Sequence, residues 1–323
     1  MVDGPSSAAL RRNSGLNVLL VAEESAGVRV LRLLAEGGHK VVGVLSTPPG
    51  RTGGGAVATV ALELGVVTLD SRRVVDPALA TWIRDEQVDL LLNVHSLFVI
   101  DAYVLEAPRI GSFNLHPGRL PEYAGLNAPS WSIYCGETTH AVTLHWMEKE
   151  IDVGPVAYAS SFPIDEVDTG LSLTLKGVRM GLPLVARLLE AAARGREAVP
   201  VHPQDPSRRR YFGPEVPDGG RILWGRPARK IVDLVRACDY APYPSPWGQA
   251  SARLGDRTVA IVKASRTGTR ASDPAGTVGD ADGPSVSVAA ADEWIRVHSV
   301  GVEGSVLPAS DLLERGARLA DGV

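Results

Sequence analysis

Short apolar runs alternate with stretches of helical spacing along most of the first 190 residues, and this alternation limits the fold more than any other feature of the chain. Residues 17–22 form an apolar run without period-two alternation, the pattern of a strand covered on both faces, and residues 28–36 then place apolar side chains at helical spacing. Gly37, Gly38 and His39 end that helix and residues 40–45 read as a second buried strand, so the first unit is strand, helix, parallel strand with a right-handed crossover. The pattern continues with a helix over 57–64, a strand over 66–69, a helix over 78–87 and strands over 88–94 and 109–116. The expectation is a doubly wound, mostly parallel α/β sheet of Rossmann-like kind.

A helix over 126–135, strands over 141–146 and 155–164 and a long helix from about residue 170 to about 194 follow. Periodicity is then lost across 191–203, which reads as a linker. Beyond it a helix over 228–238 is joined by short β-rich pieces, 258–264 and 294–300 among them, separated by Gly, Pro and Asp clusters. These suggest a small barrel or open sheet. A length of 323 residues agrees with two domains at roughly 150 residues each. The expected division is a disordered tail over 1–16, a catalytic domain over 17–200 and a β-rich domain over 201–323.

A net charge of −4 gives no bulk attraction for a polyanion, and the first residues hold no apolar segment of the secretory kind. Cys135 and Cys238 are the two cysteines, too few for a disulfide framework or a cysteine-rich metal site. A cytoplasmic protein without membrane association is expected. No histidine pair has the helix spacing of a zinc site, so no metal is expected. His95, His140 and His145 sit in or beside apolar segments, where a satisfied core or surface histidine is the commoner case. The residues after the first strand, 22–27, lack the repeated glycines of a dinucleotide site. Arg208, Arg209 and Arg210 read as a solvated charge run, Trp82, Trp131 and Trp294 as packing residues, and Trp224, Trp247 and Tyr243 as candidates for an acceptor surface.

One constellation carries chemistry. Asn114 and His116 stand two apart at the carboxyl end of the strand over 109–116, so both side chains leave one face at the sheet edge where ligands of open α/β folds collect. Asp152 follows in a loop. An amide can donate to a developing oxyanion, an imidazole can take or relay a proton near neutrality, and a carboxylate can fix the imidazole tautomer and stabilise its cation. These are the needs of amine attack on an acyl carbon.

These residues, together with the stretches 120–125, 128–133, 136–137, 142–145 and 152–156, resemble in order and spacing the 10-formyltetrahydrofolate-dependent formyltransferases, a family that includes methionyl-tRNA, glycinamide ribonucleotide and amino-sugar enzymes. The resemblance implies a catalytic trio at Asn114, His116 and Asp152 and a C-terminal OB-like domain. It also implies 10-formyltetrahydrofolate as formyl donor, held largely by backbone atoms of His95, Ser96, Leu97, Phe98, Ile100, Ile151, Val153 and Gly154, with Phe98 and Ile100 as apolar walls. Gly118 and Arg119 replace the serine and leucine usual after the histidine, and Ala124 stands where many relatives carry arginine. Gly118, Arg119, Tyr123, Ala124 and Asn127 are therefore the expected acceptor-binding residues. The loop over 47–55, matching an insertion that grips transfer RNA in relatives, keeps one arginine and no lysine. Nucleic acid is accordingly not the expected partner. The expected acceptor is a small-molecule or carrier-protein-bound amine in a specialised biosynthetic pathway, and a homodimer follows only by analogy. A methionyl-tRNA formyltransferase, a folate-dependent formyl hydrolase and a non-catalytic folate-binding protein are the alternatives.

Overall fold

The structure, a computed structural model, describes residues 15–47 and 55–322. Residues 1–14 of the expected tail and 48–54 of the glycine-rich loop lie outside the described residues. Tertiary contacts divide the chain into two compact units, one drawn from Met1–Glu122, Ala141–Ser160 and Val178–Arg209, the other from Tyr123–His140, Ser161–Gly177 and Arg210–Val323.

The elements of the N-terminal half follow the alternation closely: β1 (Asn17–Ala22), α1 (Glu24–Glu36), β2 (Lys40–Ser46), α2 (Ala56–Glu63), β3 (Thr68–Asp70), α3 (Pro77–Asp85), β4 (Leu90–Val94), α4 (Ala102–Leu105) and β5 (Gly111–His116). After them come β6 (Ala124–Gly125), α5 (Ala128–Tyr134), β7 (Thr139–Trp146), β8 (Val156–Pro163) and α6 (Gly170–Ala192). The main sheet runs β3-β2-β1-β4-β5-β7-β8. The pairs β3–β2, β2–β1, β1–β4 and β4–β5 are parallel, as the helical crossovers require, whereas β7 returns antiparallel to β5. The mostly parallel sheet expected from the sequence is the one observed.

Helix α1 begins four residues before its apolar periodicity does, because its first turn is made of small and polar residues. Gly27 lies so close to β1 that a Cβ there would meet the Ala22 Cβ at 2.7 Å. Behind the sheet, Leu19, Val21, Leu45, Leu79, Ile83, Leu91 and Val104 form a continuous buried core, each fully buried side chain stabilising by about 1.5–3 kcal/mol.

The C-terminal part adds β9 (Tyr211–Phe212), α7 (Ala228–Cys238), β10 (Ser251–Leu254), β11 (Arg257–Arg270), β12 (Val278–Asp282), β13 (Ser285–Ala289), β14 (Glu293–Val302), β15 (Ser305–Pro308) and β16 (Leu319–Asp321). Its antiparallel sheet runs β12-β13-β14-β11-β10-β16, with β15 beside β14. The two outer edges meet: Val278 N donates to Ala317 O at 2.9 Å and Gly316 N to Val278 O at 2.8 Å. That contact joins the β12 and β16 ends of the strand order and closes the sheet into a small barrel. Trp224 and Trp247 are 2% and 4% exposed. They pack inside this unit instead of offering an acceptor surface, while Tyr243 stays 66% exposed.

The start of β1 is tied to the chain before β5 by one carboxylate. Asp89 Oδ2 accepts from Asn17 N at 2.8 Å, and Oδ1 accepts from Arg109 Nε at 3.0 Å and Nη2 at 2.6 Å. Asp89→Ala is expected to lower the unfolding free energy by about 1–3 kcal/mol, because the donors around it lose their acceptor. A urea titration in which the variant matches the parent within about 0.5 kcal/mol would show that the tie carries no stability.

Candidate active site

Strand pairing brings the candidate groups together. In β5, Asn93 of β4 is the register partner of Asn114 on one side, and His145 of the antiparallel β7 is its partner on the other. His116 faces Thr143 in the same pairing. Residues directly opposite on one face of a sheet lie close enough to interact side chain to side chain. Asn114 is held in this way from both flanks: Asn93 Nδ2 donates to its Oδ1 at 3.0 Å, while its own Nδ2 approaches His145 Nε2 at 3.2 Å and donates to Asp152 Oδ1 at 3.3 Å. The Asn93 bond fixes which way the Asn114 amide points, with its donor end toward the other polar groups.

Asp152 lies between two imidazoles. Its Oδ2 is 3.4 Å from His116 Nδ1 and its Oδ1 is 3.3 Å from His145 Nε2. The side chains of His116, His145 and Asp152 are 3%, 2% and 6% exposed, so a carboxylate here depends on its partners for its charge. His145 Nδ1 lies 2.7 Å from the Trp146 carbonyl oxygen, which can only accept, so Nδ1 carries a hydrogen. In the neutral ring Nε2 is then the acceptor, the role the Asn114 amide calls for.

His145 belongs to this cluster and not to the hydrophobic core, contrary to the expectation from its apolar neighbours. The signal in the sequence was its parity on β7: residues 143 and 145 share a face, and the face is the one β5 presents with Asn114 and His116. Asn93 was hidden likewise inside an apolar strand. The chain after β5 is fixed by Thr143, whose Oγ1 donates to Gly118 O at 2.7 Å and accepts from Leu120 N at 3.3 Å.

The backbone is bent sharply around the site. His95 (φ +54°), Asp152 (φ +56°) and Glu24 (φ +57°) are left-handed without being glycine. Such conformations cost about 1–3 kcal/mol each and persist where the surroundings enforce them. Glu24 Oε2 lies 3.8 Å from His95 Nδ1, and that ring holds the Glu24 carboxyl below the usual range against the opposing effect of burial. Gly154 lies against β7: a Cβ there would sit 2.0 Å from the Trp146 carbonyl oxygen.

The other singled-out residues divide by exposure. Leu97 and Ile151 are 79% and 42% exposed, and Ser96 and Val153 are half-buried. Ile100 is turned into the core and Phe98 packs against it. Gly118 is buried and Arg119 half-buried. Tyr123 and Ala124 are buried, and Ala124 forms the short pairing of β6 with β9. The Tyr123 hydroxyl donates to Glu137 Oε1 at 2.6 Å, its ring stacks on Phe212 at 5.4 Å, and burial, reinforced by the Glu137 bond, pushes its phenol up. Asn127 is a left-handed residue (φ +55°) at the start of α5.

The run at 208–210 is largely solvent-facing, as expected, with the Arg208 and Arg210 side chains 62% and 49% exposed, but each arginine also meets a protein group. Arg208 pairs with Glu122, Arg209 Nη2 donates to Ile151 O at 2.9 Å, and the Arg210 guanidinium lies 4.7 Å from the Tyr123 ring centroid and 3.7 Å from Glu137 Oε1. Among the described residues no group of three or more His, Cys, Asp or Glu could hold a metal ion, and no helix is long and apolar enough to cross a membrane.

Among curated proteins, the chain is 28% identical over 321 residues to the methionyl-tRNA formyltransferase of Bacteroides thetaiotaomicron, covering 96% of this chain and 98% of the relative. It resembles an N-formyltransferase from Helicobacter canadensis, solved in complex with folinic acid and dTDP-3-aminofucose, with a TM-score of 0.67 and 16% identity over 87% of this chain and 98% of that one. It also resembles HypX from Aquifex aeolicus, solved with tetrahydrofolic acid, with a TM-score of 0.64 and 20% identity over 93% of this chain; the match spans 47% of HypX, about half its length. At these identities the structural likenesses speak for the fold. The formyl transferase, C-terminal domain model matches residues 216–316. The formyl transferase model itself matches residues 11–181, more than half of the 323-residue chain, and the chain belongs to that family.

Proposed function

We propose that this enzyme moves a formyl group from 10-formyltetrahydrofolate to a primary amine, with Asn114, His116 and Asp152 as the reacting groups. The observation that carries the reading is the buried carboxylate set between His116 and His145, with the Asn114 amide directed at it, on the edge of a formyl transferase sheet. The donor fits the surroundings. Leu97, Val99 and Ile151 are apolar and exposed in the segments after β4 and before Asp152, where a flat ring system would cover them. When bound, the folate supplies an activated formyl carbon.

The chain's residues then divide the work. The amine nitrogen bonds to the formyl carbon and gives up a proton as the carbon's bond to the carrier breaks. Asn114 donates to the formyl oxygen as negative charge develops there, which requires one Nδ2 hydrogen to leave Asp152 or His145 for the stronger acceptor. His116 takes the amine proton and gives it to the carrier nitrogen as that nitrogen leaves, and Asp152, 3.4 Å away, stabilises the imidazolium in between. His145 accepts from Asn114 and so holds its amide in register.

For the acceptor we favour a small-molecule or carrier-bound amine, which the net charge of −4 supports, since it gives no bulk attraction for a polyanion. An aminoacyl-tRNA acceptor is the second reading, favoured by the full-length likeness to a methionyl-tRNA formyltransferase. Mass spectrometry of the chain with 10-formyltetrahydrofolate and, separately, a panel of small amines or methionyl-tRNA reads the formyl mass gain. Gain on small amines alone is the expected result, and gain on methionyl-tRNA alone would replace it with the second reading.

His116→Ala and Asp152→Asn are each expected to lower turnover by about 10²–10⁴-fold while leaving the unfolding midpoint near that of the parent. Normal turnover in both would rule out the mechanism. His145→Phe, which removes the acceptor for the Asn114 amide but keeps the ring, is expected to lower kcat by about tenfold or more with a smaller change in KM; a pure KM effect in steady-state kinetics would remove His145 from the site.

A further inference from the structure

The segment after α6 reads from its sequence as a linker, yet it is pinned along the loop that carries Asp152. His202 N donates to Val156 O at 3.0 Å and Val156 N to His202 O at 2.8 Å, an antiparallel bridge just after the loop. Two residues on, Gln204 Nε2 donates to Asp152 O at 3.0 Å and to Gly154 O at 2.6 Å. Five residues further, Arg209 reaches Ile151 O at 2.9 Å. The carbonyls of residues 151, 152 and 154 are thus all met by side chains of one strap.

We propose that Gln204 is the positioning residue for Asp152. The inference rests on the functional reading above and goes beyond it by giving the linker a part in the chemistry. Three observations support it. The Gln204 amide can have only one orientation, because exchanging its nitrogen and oxygen would set Oε1 against two carbonyl oxygens. In that orientation Oε1 is buried without a hydrogen-bond partner, so the side chain is arranged for its two donor bonds and not for its own satisfaction. Asp152 is left-handed at φ +56°, a conformation that aspartate tolerates in turns better than most residues but that still gains from contacts fixing the loop.

The loop is gripped from both sides. Trp146 O closes one face of Gly154 so tightly that no Cβ fits, and Gln204 closes the other through the carbonyls. Without the amide, the backbone at Asp152 is free to rotate toward a more relaxed φ. That rotation carries the carboxylate away from His116 Nδ1, now at 3.4 Å, and from His145 Nε2, now at 3.3 Å. Gln204 touches no reacting atom, so its loss should lower kcat and leave the KM values for donor and amine nearly unchanged.

Gln204→Met keeps the length of the side chain and removes both donors. It is expected to lower kcat by about 10–100-fold, the scale of a displacement of about 1 Å at a reacting group, with both KM values within about threefold. Gln204→Glu faces the two carbonyls with a carboxylate at neutral pH and should be as slow. Its turnover relative to the parent should rise as the pH falls, because a protonated carboxyl regains one donor, whereas Gln204→Met shows no such rise. Hydrogen exchange supplies an arm independent of activity: peptides spanning 147–156 should exchange faster in Gln204→Met and the rest of the sheet should not. Parental kcat in Gln204→Met, a loss confined to KM, or unchanged exchange over 147–156 would each overturn the proposal. If the parent formylates no acceptor at all, the functional reading fails while the exchange result still decides whether Gln204 holds the loop.

Discussion

The site hangs on one buried carboxylate and the polar groups that justify its burial. Taking an ion such as Asp152 out of water costs several kcal/mol unless opposite charge or well-placed donors replace the solvent. Its surroundings provide His116 on one oxygen and, on the other, the Asn114 amide, which His145 Nε2 holds in place. The arrangement is compact because every partner is a neighbour in one strand pairing, β5 against β7, and only Asp152 itself arrives from a loop. The loop must therefore be held as firmly as the strands, and it is, by the Trp146 carbonyl beneath Gly154 and by the Gln204 amide across residues 152 and 154.

Reversal of a single strand makes this possible. Had β7 been added parallel, its connection to β5 would have required another crossover, and the face of β5 carrying Asn114 and His116 would have met a different register. Antiparallel pairing sets Asn114 opposite His145 and His116 opposite Thr143. It also frees Thr143 to hold the turn after His116 through Gly118 O and Leu120 N. The parallel half of the sheet supplies the edge where a ligand can sit, and the antiparallel addition supplies the second wall of polar groups.

How much of this was legible depends on whether a residue's partner is close in the chain or far. The strand and helix alternation through β5 could be read because burial on both faces or on one stripe leaves a local pattern in Leu, Val and Ile. Asn114 and His116 could be read because polar residues two apart at a strand end are conspicuous. His145 could not: one imidazole in the apolar run of β7 has the same local pattern as a packed core histidine, and only the pairing with β5 distinguishes them. Trp224 and Trp247 read as candidates for an acceptor surface, yet both are buried, Trp247 against Trp131 and Tyr134.

Gln204 is the sharpest example, because nothing local distinguishes it from any glutamine between two domains. Its place is set by the bridge between His202 and Val156, which brings the strap alongside the Asp152 loop only after β8 and α6 have formed. A catalytic side chain must answer to the chemistry of its substrate, which narrows the residue types and makes a motif. A positioning side chain must answer only to the backbone it holds, here two carbonyl oxygens, and any donor of the right length could serve. The first constraint leaves a recognisable signature in a single sequence; the second becomes visible only when hydrogen-bond partners are traced for each backbone group of the loop.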